Sequence, residues 1–82
     1  MIKVSVFERG KVSQPNGVEY IPMANALVNL VNRLTGDTRI TCIGLKILTL
    51  DCPITNECVE FEGDEDDMNL LLRVGHLYLL AC

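Results

Sequence analysis

The sequence predicts an α+β fold: a split βαβ, ferredoxin-like βαββαβ arrangement with two helices on one face of a four-stranded antiparallel sheet. Three observations lead there. Apolar residues alternate at both ends of the chain, at 2–8 and 76–82, as in half-buried strands. Two internal segments, 22–34 and 64–74, space their apolar residues as helices do. The lengths also agree: a helix of about 13 residues and a strand of about six both span ~20 Å.

The first strand reads IKVSVFE, with Ile2, Val4 and Val6 on one side and Lys3, Ser5 and Phe7 on the other. Pro15-Asn16-Gly17 is a turn signal, and Lys11–Ser13 could pair with Val18–Tyr20 as an extra hairpin near 11–20. Pro22 suits a helix start and Gly36 a helix end. Between them Met23, Leu27, Leu30, Val31 and Leu34 form an inward stripe, with Asn25, Asn29 and Asn32 on the solvated side. The run TRITCIGLKILTLD is β-prone and changes phase at Gly44. Ile40 and Cys42 share one face, and Ile43, Leu45 and Ile47 share another, which suggests one strand with a bulge at the glycine. DCPITNE reads as a loop, and CVEFE as a strand with Val59 and Phe61 inward and Glu60 and Glu62 outward. A second helix follows, with Leu70, Leu71 and Val74 facing in, and HLYLLAC closes the sheet. Right-handed crossovers would put the first strand and CVEFE side by side in the centre.

Residues 1–82 make a single domain with a thin core. Yet 49% of the residues are hydrophobic and the mean hydropathy is +0.27, more apolar material than so small a body hides easily. The excess points to a homo-oligomer or an obligate partner. No stretch reaches the ~18 apolar residues of a membrane span. The charged start MIKVSVFERG does not read as a secretory leader, so a cytoplasmic protein with no membrane role is expected.

The net charge of −4 is unevenly distributed. Residues 1–50 carry six basic and three acidic residues, whereas 51–82 carry Arg73 and eight acidic ones. Phosphate-gripping proteins are usually basic, so direct nucleic-acid binding is disfavoured and a partner protein with a basic surface is favoured.

The densest charge lies in EFEGDEDD, where Glu60, Glu62, Asp64, Glu65, Asp66 and Asp67 fall within eight residues. Part of the run has a plain explanation. A helix N-terminus carries partial positive charge, and Asp64 with Asp67 suits a cap. A helix needs one or two such charges, however, and the surplus repels itself. The contiguous acids also lack the alternation and distant bidentate glutamate of a calcium loop. These six carboxylates are therefore the candidate partner-binding residues.

No other pattern carries chemistry. Cys52 and Cys58 flank a loop and could approach each other, but their spacing is not that of a zinc site, and Cys42 reads as core packing. His76 is the only histidine and no nucleophile pairs with it by spacing. No glycine-rich phosphate loop occurs. No catalytic residue, metal or cofactor is expected. On the open sheet face, Phe7, Tyr78 and Leu80 are candidate self-association residues, with Lys3 and His76 beside them. Aromatics on an open sheet occur in single-stranded RNA readers, but the aromatic-glycine motif of such proteins is missing and the charge opposes that role.

The expectation is a small, non-enzymatic acidic interaction protein, a modulator or inhibitor. Its size and composition are shared by accessory proteins of phages and mobile elements. The alternatives are a self-assembling structural subunit pairing through the open face, and a small-ligand or metal-binding regulatory domain using the thiols and His76.

Overall fold

A computed structural model of the chain describes residues 1–11, 14–34 and 38–74. In chain order the elements are β1 (Ile2–Glu8), β2 (Gly17–Ile21), α1 (Met23–Arg33), β3 (Arg39–Ile43), β4 (Ile47–Cys52), β5 (Glu57–Glu62) and α2 (Glu65–Val74). The described strands form one antiparallel sheet in the order β2-β1-β5-β4-β3.

The α+β class holds and the detailed arrangement does not: among the described residues the sheet has five strands rather than four, and their order is not the ferredoxin-like one. Two differences account for this. First, residues 17–21 form a strand of the main sheet; of the Lys11–Ser13 segment expected to pair with them, residues 12 and 13 lie outside the described residues. The strand pairs with β1 along its whole length, from Ile2 opposite Ile21 to Val6 opposite Gly17. β2 thus takes the edge beside β1 that the ferredoxin-like order reserves for the last strand. The expected closing strand, 76–82, lies outside the described residues.

Second, the long β-prone run is a hairpin rather than one bulged strand. The Gly44 N–H donates to the Ile47 carbonyl at 2.7 Å, turning the chain through Leu45 and Lys46 between β3 and β4. The bulge lies three residues earlier. Ile40 pairs with Leu50 and Cys42 with Thr49, so Thr41 is the extra residue. One added residue in a period-two pattern sends the following side chains to the other face. Ile40 and Ile43 therefore both lie on the core side, while Cys42 lies across from them.

The central pairing of β1 with β5 is as expected from the crossover argument. Val4, Phe61 and Leu48 line up across β1, β5 and β4, and Val6, Val59 and Leu50 form the next row. Helix α1 lays Ala26 and Leu30 on these rows, and α2 adds Met68, Leu71 and Leu72. Each such side chain, fully buried, contributes about 1.5–3 kcal/mol.

The helical stripes are slightly rotated from the expected ones. In α1, Ala26 is in and Val31 is 54% exposed, because the stripe formed by 23, 26, 27, 30 and 34 is turned by about one residue position from the one expected. In α2 the spacing of 68, 71 and 72 turns Leu70 outward, although Leu71 faces in as expected. Arg33 donates from Nε to Asn29 Oδ1 at 2.9 Å, which ties the asparagine row to the end of α1.

Gly10 is demanded by geometry. It has φ of 88°, a left-handed conformation in the turn closed by Lys11 N–H to the Glu8 carbonyl at 2.9 Å. At Gly63, between β5 and α2, a side chain fits only if the end of Ile2 shifts. A Cβ there would stand 2.7 Å from Cδ1 of the fully buried Ile2.

Candidate functional site

The six candidate carboxylates follow the path of the chain from one face of the sheet to the other. Glu60 and Glu62 stand on the side of β5 away from the helices, because Val59 and Phe61 take the core side. Two residues apart on an extended strand, their side chains start ~6.7 Å apart. The chain then passes Gly63, whose N–H donates to the Lys46 carbonyl at 3.1 Å. Asp64 precedes α2, and its carbonyl accepts the Met68 N–H at 2.9 Å. Glu65, Asp66 and Asp67 occupy the first helical turn, where the helix dipole favours them. Five of the six therefore lie at one end of the sheet, where β1 and β4 begin and β5 ends, and Glu60 stands two residues in from it, opposite Ser5 and Thr49.

Cations at this end are fewer. Lys3 stands directly opposite Glu62 in the ladder, Lys46 lies beside Gly63, and the Met1 ammonium sits 3.7 Å from Asp67 Oδ2. That contact joins an exposed ammonium to a half-exposed carboxylate, and such pairs are weak. Among the described residues, Glu60, Glu62, Asp64, Glu65 and Asp66 form no ion pair within 4.0 Å. Lys3 takes the register for a cross-strand pair with Glu62, whereas Arg9 turns to Asp51, with Nε 3.9 Å from Oδ1.

The self-association residues are placed only in part. Phe7 points to the face away from the helices, opposite Cys58, but only 8% of it is exposed. A ring buried this far is packing within the chain and offers little to a second copy. Tyr78 and Leu80 lie outside the described residues. The apolar exposure on that face includes Ile47 of β4, at 37%, and Val18 and Tyr20 of β2, at 41% and 64%, none of which the sequence reading assigned to self-association. In β2 the strict alternation of GVEYI was the available signal.

The thiols do not come together as a site. Cys52 pairs with Glu57 on the core side and Cys58 pairs with Asp51 on the other, so the two face opposite sides of the hairpin and both are free. Cys52 Sγ rests 3.4 Å from Thr38 Oγ1. Cys42 is half-buried, on the face away from the core. Burial pushes the Cys58 thiol up, and the nearby Glu60 and Asp51 carboxylates and Cys52 push it the same way. A thiol so placed is held protonated and is a poor nucleophile. His76 and Cys82 lie outside the described residues. Among the described residues no group of three or more His, Cys, Asp and Glu side chains is arranged to hold a metal ion. No helix among them is long and apolar enough to cross a membrane.

No protein-family model, curated protein or solved structure matches this chain.

Proposed function

We propose that this chain is a non-enzymatic interaction protein, a modulator or inhibitor whose acidic end docks on a basic surface of a partner protein. One observation carries the reading: six carboxylates meet three cations toward one end of the sheet, and five of the six form no ion pair among the described residues. Helix α2 uses some of that charge at its N-terminus, but Glu60 and Glu62 serve no helix. Surplus like charge is locally unfavourable and finds its compensation in a foreign cationic surface, which it also steers from a distance.

The test is quantitative copurification from the native host, comparing the wild type with the E65K/D66K/D67K variant at two salt concentrations. The wild type should retain a partner whose contact surface is basic, and the variant should lose it. Retention should also fall as salt screens the encounter. Equal retention by the variant, or a complex indifferent to salt, would remove the proposal.

A second reading, a self-assembling structural subunit, draws support from Val18 and Tyr20, which leave apolar surface open on the face away from the helices. A wild type that sediments as a monomer at high concentration would end it.

A further inference from the structure

We infer that the outer edge of β2 is a strand-addition site, and that its occupant is an extended partner segment in which apolar and basic residues alternate. The inference rests on the reading above that the partner is basic, and it adds where and how such a partner binds.

The two edges of the sheet are built differently. β3 is irregular: it carries the Thr41 bulge and begins with Arg39, and both features discourage strand pairing. Cys42 and Ile43 on that edge also take part in further contacts. β2 has no bulge, and its one charged residue is Glu19. Its ladder with β1 runs unbroken through five pairs, and the strand contains no proline, lysine or arginine. Gly17–Tyr20 are all exposed and Ile21 is half-exposed. Among the described residues, no group hydrogen-bonds to its outer backbone edge. Such an edge is a template on which another extended chain can build.

The side chains specify what would fit. Val18 and Tyr20 project from the face away from the helices, opposite Ser5 and Lys3. Glu19, between them, projects to the other face, opposite Val4. An added strand meets Val18 and Tyr20 with apolar residues and Glu19 with a cation. A second copy of β2 fits less well. Where its Val18 and Tyr20 would match this Tyr20 and Val18, Glu19 would oppose Glu19, and both copies carry a net charge of −4. The added strand would also lie near the acidic end. Tyr20, Lys3 and Glu62 are neighbours across β2, β1 and β5, so Tyr20 and Glu62 stand about 10 Å apart at ordinary strand spacing.

The experiment titrates the isotope-labelled full chain with a blocked nine-residue peptide of alternating valine and lysine, and with its glutamate-for-lysine analogue. Backbone amide shifts and exchange protection report the site. The lysine peptide should shift and protect residues 17–21. Glu19→Lys should weaken the lysine peptide about 2- to 5-fold and strengthen the glutamate peptide by a similar factor. Glu19 is exposed, so the fold should tolerate the change. Shifts confined to Glu60–Asp67 would refute the edge site and leave the acidic-end reading standing. Shifts at 17–21 that are unaltered in E65K/D66K/D67K would keep the edge site and count against that reading. No shift, or a β2-mediated dimer that ignores the peptide, would overturn the inference.

Discussion

Both ends of the sheet carry charge and use it differently. At the end where β1 finishes and β5 begins, among the described residues, Arg9, Lys11 and Arg39 meet Glu8, Asp51 and Glu57 in equal number. Two of these form ion pairs, Lys11 with Glu8 at 3.3 Å and Arg9 with Asp51 at 3.9 Å. The Arg9 N–H also donates to the Asn56 carbonyl at 2.9 Å, fastening the end of β1 to the β4–β5 turn. Charge there is balanced among the described residues. Toward the opposite end six carboxylates face three cations, and the ion pair at Met1 joins an exposed ammonium to a half-exposed carboxylate. Balanced charge holds strands and turns in place, whereas unbalanced charge is left for something outside.

That contrast can be broken in three places. The largest effect is expected from Gly63→Ala, which drives a methyl group into Ile2 beneath the acidic turn. Overpacking of this kind costs about 1–3 kcal/mol, and chemical denaturation would read it directly. An unchanged midpoint would mean that the joint between β5 and α2 has slack.

At the balanced end, Asp51→Asn removes the partner of the half-exposed Arg9. The long contact distance and the exposure of the arginine put the loss at about 1 kcal/mol or less. Partner binding should not change. A loss of binding comparable to that of E65K/D66K/D67K would show that the two ends are not functionally distinct.

The smallest effect concerns Cys58, which stands between the two regions. Burial and the Glu60 and Asp51 carboxylates raise its folded pKa above that of the unfolded chain. The stability linked to this thiol is therefore fully present below the unfolded thiol pKa, about 8.5. It is lost as pH rises from there through the folded value, because the unfolded chain gives up its proton first. Alkylation of the native protein should reach half its maximal rate at a higher pH than in denaturant. Glu60→Gln should bring the two midpoints closer together. Coincident native and denatured profiles would contradict the placement of Cys58.

Much of this architecture was legible in the sequence, and the parts that were not share a cause. β1, α1, β5 and the acidic start of α2 announce themselves through local periodicity and capping chemistry. At Gly44 the pattern was ambiguous, since a phase change signals a bulge or a turn equally well. The Leu45-Lys46 turn also lacks the Asn-Gly or Asp-Gly pair that marks tight hairpins. The true bulge at Thr41 leaves no compositional mark, because threonine is an ordinary strand residue. The partnership of β2 with β1 depends on which strand edge is free, which no local window contains. The candidate site divides the same way. The six carboxylates were visible as a run, but which cations lie near them depends on tertiary placement, as Arg9 turning to Asp51 illustrates.

The central position of β1 has a consequence for how the molecule is made. Its partner residues in β5 lie 49 positions downstream at Glu8–Glu57 and 59 at Lys3–Glu62. During synthesis the β1–β2 hairpin emerges long before β5 does, with one flank of β1 still bare. Contacts this distant in sequence slow folding, and a bare strand flank is what chaperones and neighbouring nascent chains bind first. The interval between translating Ile21 and Glu62 is therefore the period in which this small protein is most exposed to misassembly.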